Sequence, residues 1–191
     1  MVFFRRVART LLISIVLAAI IMIFVYHTTW FQKKYVYPLP NRQLVFTMAQ
    51  RYEVDPYLIY AVIQTESRYI ETATSPKGAR GLMQIMPETG AWIAEKLRTA
   101  NYNQDKLYNP AVNIEFGTWY LATLREEFDG NPVLTLAAYN GGRGNVKQWK
   151  RQYGWNDDFS DIKQIPFSET RTYVSKVLSA YNEYKKLYGP G

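Results

Sequence analysis

The spacing of apolar side chains predicts a domain built almost entirely from helices. Beyond residue 41, apolar residues recur at intervals of three and four, as on one face of a helix, and no segment sustains the alternation of a half-buried strand. Proline marks several helix starts, and Asp55 and Asn109 precede two of them as capping residues. The predicted fold class is therefore all-α. The first predicted helix covers 42–52, and the others begin at Pro56, Pro87, Pro110, Pro132 and about Ser168. The helix from Pro110 ends by Gly130, and the helix from Pro132 ends at Gly141-Gly142. Residues 153–164 are predicted to form a loop.

A long apolar segment precedes this domain. Residues 11–26, LLISIVLAAIIMIFVY, carry no charge, and with their flanks they approach the roughly 20 residues that a helix needs to cross a bilayer. Arg5, Arg6 and Arg9 lie before the segment, which predicts a cytoplasmic N-terminus and an extracytoplasmic domain. A cleaved signal peptide is the alternative, but no small-x-small cleavage site follows the segment. We predict a cytoplasmic N-terminus over 1–9, a single-pass transmembrane anchor over 10–29, a tether over 30–40 and the helical domain over 41–191.

Composition excludes several kinds of chemistry. The chain has no cysteine, which excludes disulfides, thiolate nucleophiles and cysteine metal sites, and its only histidine, His27, adjoins the apolar segment. A Ser-His-Asp triad or a histidine-ligated zinc therefore has no candidate in the helical domain. The net charge of +7 is not concentrated in the clustered lysines and arginines of a nucleic-acid-binding surface. Acid–base chemistry is left to carboxylates, and we predict no cofactor, no metal and no nucleic-acid partner.

Glu66 occupies an unusual position for a carboxylate. Because it follows Ile59, Val62 and Ile63 at helical spacings, it lies at the end of the apolar stripe of its own helix. Partial burial disfavours the charged form, raises the pKa of the carboxyl and lets it donate a proton near neutral pH. The alternative is a helix-terminal glutamate whose tip reaches water. The position favours a general acid.

Three further segments combine polar residues with glycine or proline. TATSPKGARGLMQIMP, residues 72–87, holds Gln84 between Met83 and Met86, and by themselves the methionines are more readily core residues than a groove wall. AAYNGGRGNV, residues 137–146, lacks the Lys-Ser/Thr of a P-loop, so a helix C-cap with a left-handed glycine is the simpler interpretation. In IPFSETRTYV, residues 165–174, the dipole of the last helix would by itself favour a carboxylate at Glu169.

Taken in order, ESRY, SPKGARGLMQIMP, AAYNGG and IPFSETRTYV resemble the catalytic domain of soluble-type lytic transglycosylases, a family similar in fold to goose-type lysozyme. The resemblance covers roughly residues 40–188 and implies a lysozyme-like helical fold with a sugar-binding groove. It also implies non-hydrolytic cleavage of the β-1,4 bond between N-acetylmuramic acid and N-acetylglucosamine in peptidoglycan, which leaves 1,6-anhydro-muramoyl ends. The expected partners are peptidoglycan strands and, through the N-terminal helix, the bacterial cell membrane.

The resemblance also implies roles for individual residues. Glu66 matches the single catalytic acid and base of the family. The substrate-binding candidates are Ser75, which matches a serine that contacts an acetamido group, and the groove residues Gln84, Met86, Tyr139, Asn140, Glu169 and Tyr173. One departure is GGRG at 141–144, where many members have AGPG, so Arg143 is expected to alter the charge of the groove.

Two other functions stay open. A lysozyme-type muramidase on the same fold would use water in place of the intramolecular hydroxyl, but only Glu169 is available as a second acid to activate that water. A non-catalytic wall-binding scaffold would keep the groove without needing the carboxyl of Glu66.

Overall fold

The computed structural model describes residues 2–189, with the side chains of residue 9 and residues 11–189. These residues form two compact units, with the boundary between Leu39 and Pro40. The described residues form helices and connecting loops, and the only strand-like pairing among them is a pair of isolated bridges within one loop. The all-α prediction is confirmed.

The first unit is one long helix followed by short helical turns. These elements are α1 (Val2–Tyr26), α2 (Thr29–Phe31) and a π-helical turn at Gln32–Val36. The hydroxyl of Thr28 connects the first two, because it donates to the Val25 carbonyl at 2.7 Å and accepts from the Phe31 amide at 3.3 Å. The segment 30–40, predicted as a tether, is therefore helical over much of its length.

A helix that crosses a membrane must be both long and apolar. Among the described residues no single helix meets both requirements, whereas Leu11–Tyr26 and Thr29–Val36 meet them together across a bend of 64°. The transmembrane anchor over 10–29 stays a prediction.

The second unit holds the predicted helices and one more. Its longer helices are α3 (Arg42–Tyr52), α4 (Pro56–Ser67), α5 (Pro87–Lys96), α6 (Pro110–Glu127), α7 (Pro132–Gly141), α8 (Arg143–Tyr153) and α9 (Ser168–Tyr188), with 3-10 turns at Gln104–Tyr108 and Ile162–Gln164. Asp55, Asn109 and Asn131 each accept a first-turn backbone amide and each precede a proline. The predicted helix starts are confirmed.

Helix α4 lies at the centre of the second unit. Residues 59–63 are all buried, and α4 packs along α9, whose buried stripe includes Val174, Val177 and Tyr184. Helix α7 packs against α6, α8 and α9. Arg68 and Tyr69 have φ of 50° and 67°, so the chain leaves the helical path just after the last turn of α4. That turn is therefore at the margin of the core.

A buried amide of α6 holds the loop between α4 and α5. The side-chain oxygen of Asn113 accepts from the Met83 amide at 2.7 Å, and its nitrogen donates to the carbonyls of Arg80 and Leu107 at 2.9 and 2.7 Å. Isolated bridges join Arg80 to two other residues of the loop. Irregular backbone can be buried here because its polar groups find these partners.

Helix α8 was not predicted from the hydrophobic pattern. Only Val146 and Trp149 are buried along it, and most of its other residues are polar or charged. The helix begins directly after Gly142, which ends α7 by donating its amide to the Ala138 carbonyl at 3.0 Å. Gly142 has φ of 89° and ψ of 132°, outside the left-handed helical region. The predicted glycine C-cap is therefore present at Gly142 with a positive φ, but not in the expected αL conformation, and the glycine pair joins two helices.

We expect Gly81→Ala to lower the free energy of unfolding by about 2–4 kcal/mol. Gly81 has φ of 74°, and an added Cβ would lie 2.2 Å from the Leu107 carbonyl oxygen and 2.3 Å from the Asn113 side-chain nitrogen. Gly130 is the control, because its φ is 79° and an added Cβ would meet nothing within 4 Å. Gly130→Ala should cost about 1 kcal/mol. Urea unfolding measures both losses, and equal losses would contradict the tight contact at Gly81.

Candidate active site

Glu66 lies in the last turn of α4 with its side chain half-buried. The residues that precede it on the same face, Ile59, Val62 and Ile63, are 0–2% exposed. The apolar stripe inferred from the sequence is therefore a buried stripe, and the carboxyl lies where that stripe reaches a groove.

The surroundings of Glu66 raise its pKa from 4.5 to about 7. Burial is the largest cause, because it removes the water that stabilises the carboxylate. The hydroxyl of Tyr173 acts in the opposite direction, and the negative charge of Glu169 adds a further increase. A carboxyl with this pKa can exchange a proton with a substrate near neutral pH.

Two tyrosine hydroxyls lie near the carboxyl. Tyr139 donates to the Met83 carbonyl at 2.9 Å. The buried Tyr173 hydroxyl has no hydrogen bond of normal geometry within the described part of the chain, yet it is close enough to Glu66 to lower the pKa of that carboxyl. Burial and the charge of Glu66 raise the pKa of both tyrosines well above the ordinary value. Both hydroxyls therefore stay protonated.

The loop after α4 supplies one wall of the groove. The Ser75 hydroxyl accepts from the Ala79 amide at 3.0 Å, which leaves its own proton for another acceptor. Gln84 has φ of 47°, and its side-chain nitrogen donates to the Ala73 and Gly81 carbonyls at 3.1 and 2.9 Å. Since the amide nitrogen is bound within the loop, the amide oxygen is the group that Gln84 can offer to a ligand.

The groove has a volume of about 340 Å³ and contains most of the predicted site residues. Its lining consists of Glu66, Ser75, Pro76, Lys77, Ala79, Gln84, Met86, Tyr139, Asn140 and Glu169. Tyr173 is not part of this lining and lies buried close to Glu66. The two methionines differ: Met83 is fully buried, whereas Met86 is 39% exposed and lines the groove. Among the described residues, no group of three or more histidine or acidic side chains is placed to hold a metal ion.

Several supporting residues were not singled out in the sequence. Lys77 lines the groove and pairs with Glu169 at 3.1 Å. The Thr170 hydroxyl donates to the Asn140 side-chain oxygen at 2.9 Å, and Asn113 holds the loop. These residues carry no motif signal by themselves. Asn113 lies near the start of α6 and Thr170 lies beside Glu169. The role of each becomes apparent only from the groups that it binds in the structure.

Comparison with known protein families matches residues 43–162 to the Transglycosylase SLT domain. The chain belongs to the SLT transglycosylase family. The resemblance inferred from the four motifs is therefore confirmed, and the SLT domain lies within the second compact unit.

Curated relatives and solved structures agree with this family. The SLT chain is 35% identical over 154 residues to the "Soluble lytic murein transglycosylase" of Escherichia coli (strain K12), with 80% of this chain and 24% of the relative covered. It is 34% identical over 163 residues to the "Membrane-bound lytic murein transglycosylase C" of Actinobacillus pleuropneumoniae serotype 5b, with 74% and 44% covered. The crystal structure of the 70 kDa soluble lytic transglycosylase of E. coli matches with a TM-score of 0.77 and 32% identity, over 84% of this chain and 26% of that one. The chain thus spans about a quarter of the length of the soluble relative.

Replacing the carboxyl of Glu66 with an amide should stabilise the SLT domain more at pH 8 than at pH 4. Below the ordinary pKa of 4.5 the carboxyl is protonated in the folded and unfolded chain alike. As pH rises from 4.5 to about 7 the unfolded chain ionises first, so Glu66 destabilises the fold progressively. We expect Glu66→Gln to raise the free energy of unfolding by about 1–3 kcal/mol more at pH 8 than at pH 4.

Urea unfolding of both proteins at the two pH values measures this difference. Glu71→Gln, in the exposed part of the following loop, is the control and should show no such difference. An equal effect of Glu66→Gln at both pH values would contradict the raised pKa.

Proposed function

We propose that this chain is a peptidoglycan lytic transglycosylase in which Glu66 is first the acid and then the base. The observation that carries the proposal is one half-buried carboxyl, its pKa raised to about 7, on the wall of a groove in an SLT-family domain. Near neutral pH such a group is present in both protonation states, as donation followed by acceptance requires. The relatives named lytic murein transglycosylases support peptidoglycan as the substrate.

The proposed reaction needs one carboxyl from the protein. Glu66 donates its proton to the glycosidic oxygen, and the bond between that oxygen and C1 of N-acetylmuramic acid breaks. The acetamido group of the same sugar stabilises the positive charge that develops at C1. The C6 hydroxyl oxygen then attacks C1 while the carboxylate takes the hydroxyl proton. The products are a 1,6-anhydro-muramoyl end and a free hydroxyl on N-acetylglucosamine, with Glu66 protonated again and no water consumed.

The neighbouring hydroxyls support both states of Glu66. Tyr173 lowers the pKa of the carboxyl, which means that it stabilises the carboxylate formed between the two steps. Burial around the carboxyl favours the protonated form that begins the reaction. Tyr139, with its hydroxyl bound to the Met83 carbonyl, holds the loop against α7 beside the reacting bond.

The remaining groove residues are assigned to substrate binding. Ser75 can donate its hydroxyl proton to the oxygen of an acetamido group, and the Gln84 amide oxygen can accept from the acetamido N–H. Met86 supplies an exposed apolar surface for a sugar face. Asn140 and Glu169 supply polar groups from the opposite elements, α7 and α9.

Hydrolysis would require a second carboxylate to activate water. The candidate in the groove is Glu169, whose side chain is 70% exposed and paired with Lys77 at 3.1 Å. A solvent-exposed carboxylate that is paired with an ammonium group is poorly placed to hold a single water molecule for attack. We therefore assign Glu169 to holding the substrate.

We further propose that the first unit associates the chain with the bacterial cell membrane and that the SLT domain acts on the extracytoplasmic side. Apolar side chains on successive positions of α1 are exposed, from Leu11 at 59% to Phe24 at 74%. Such a surface is stabilised by lipid and not by water. A relative named as membrane-bound supports the association, and the arginines before residue 11 support the orientation.

Digestion of purified peptidoglycan with the full chain tests the activity. We expect mass spectrometry to find 1,6-anhydro-muramoyl ends, and Glu66→Gln to reduce their formation by at least about 100-fold because the proton donor is lost. Glu71→Gln is the matched control and should leave the rate unchanged. Reducing ends in place of anhydro ends would identify a lysozyme-type muramidase. Wall binding without cleavage by the unmodified chain would identify a scaffold.

Protease treatment of wall-free cells tests the orientation. We expect added protease to remove residues 41–191 from intact cells and to leave a small N-terminal fragment in the membrane, because only the domain is outside. Immunoblotting with antibodies to the SLT domain measures the loss. A domain that survives in intact cells and is digested only after lysis would contradict the proposal.

A further inference from the structure

A positively charged cluster continues from the groove along α8. Arg143 and Lys147 both bind the same side-chain oxygen of Glu127, which is at the end of α6, and the distance from Arg143 is 3.1 Å. The Glu127 side chain is 13% exposed, whereas those of Arg143 and Lys147 are each 45% exposed. Within this group of three residues, two cations and one carboxylate give a net charge of +1. We call these three residues, together with Trp92, the Arg143 patch.

The patch is held in place before any ligand arrives. The Arg143 guanidinium lies 5.7 Å from the centre of the Trp92 ring, a cation–π distance, and Glu127 anchors one of its terminal nitrogens. This is the only side-chain hydrogen bond of Arg143 among the described residues, so most of its five side-chain N–H groups remain available. A guanidinium fixed in this way loses little side-chain entropy when it binds an anion.

The patch lies next to the groove by chain connectivity and by ring contacts. Asn140 lines the groove, and Arg143 follows three residues later, at most about 11 Å away along the backbone. The Tyr120 ring lies 5.5 Å from that of the groove residue Tyr139 and 6.1 Å from that of Trp92. Burial raises the pKa of Tyr120, while Arg143 lowers it and Glu127 raises it, which places both charges near that hydroxyl.

We propose that the Arg143 patch is a subsite for a carboxylate on the peptide stems of peptidoglycan, which carry acidic groups beside the uncharged acetamido and hydroxyl groups of the glycan. This inference rests on the proposed function, since it takes peptidoglycan as the ligand. A planar guanidinium matches a carboxylate with two parallel hydrogen bonds, and the ammonium of Lys147 adds a second donor. The subsite would select strands that carry stems and would position them along the groove.

A sedimentation assay with peptidoglycan sacculi tests the subsite without depending on catalysis. The full chain carrying Glu66→Gln, purified in detergent, is mixed with sacculi that have been freed of phosphate polymers. A second batch of the same sacculi has its carboxyl groups converted to neutral amides by carbodiimide coupling with ammonia. Arg143→Ala is compared with Arg151→Ala, a change of equal charge on an exposed residue of the same helix that makes no ion pair within the described part of the chain.

We expect Arg143→Ala to weaken binding to native sacculi about three- to tenfold and to leave binding to amidated sacculi unchanged. Arg143→Glu should weaken it further, and Arg151→Ala should match the parent on both batches. Three results would each contradict the proposed subsite. Arg143→Ala and Arg151→Ala could weaken binding equally, Arg143→Ala could weaken binding to both batches equally, or Arg143→Ala could leave binding unchanged. Product analysis of the unmodified chain decides the proposed function separately, because anhydro ends would still form if the subsite were absent.

Discussion

The Asn113 amide binds three backbone groups that no regular element satisfies: the Met83 amide and the Arg80 and Leu107 carbonyls, at 2.7–2.9 Å. Without Asn113 the Met83 amide and the Leu107 carbonyl would be buried without a partner, whereas the Arg80 carbonyl also accepts from the Ile85 amide at 3.0 Å. Gly81 permits the approach, since any Cβ there would collide with this amide. The positions of Ser75, Gln84 and Met86 on the groove wall all depend on this attachment of the loop to α6.

Burial serves the chemistry of Glu66 at a cost in stability. Helix α4 is central because residues 59–63 are apolar or aromatic and all buried, and its last turn carries Glu66 to the edge of that core. The same desolvation that raises the pKa of the carboxyl to about 7 makes its ionised form unfavourable in the folded chain. The Tyr173 hydroxyl offsets part of this effect. The balance between the two leaves a carboxyl that can change its protonation state without leaving the apolar surroundings.

Helices with strong local signals were predictable, and helices stabilised by their neighbours were not. Proline and capping side chains at Asp55 and Asn109 act within one turn, so the sequence is sufficient to locate those starts. Helix α8 begins with Arg143-Gly144-Asn145 and buries only Val146 and Trp149, too few apolar positions for a periodic pattern. Its packing against α7 supplies the missing stabilisation, and that packing depends on how the two helices fold together and not on a pattern within α8.

The site, like the helices, was only partly predictable from the sequence. By itself the sequence determined a carboxylate at the end of an apolar stripe and, through four ordered motifs, the family to which the chain belongs. Only the tertiary structure decided that Met83 is core while Met86 lines the groove, that Lys77 pairs with Glu169, and that Arg143 and Lys147 share Glu127. Periodicity reports which face of one element is apolar. It cannot report which residues from distant elements meet, because that depends on how helices separated by tens of residues pack together.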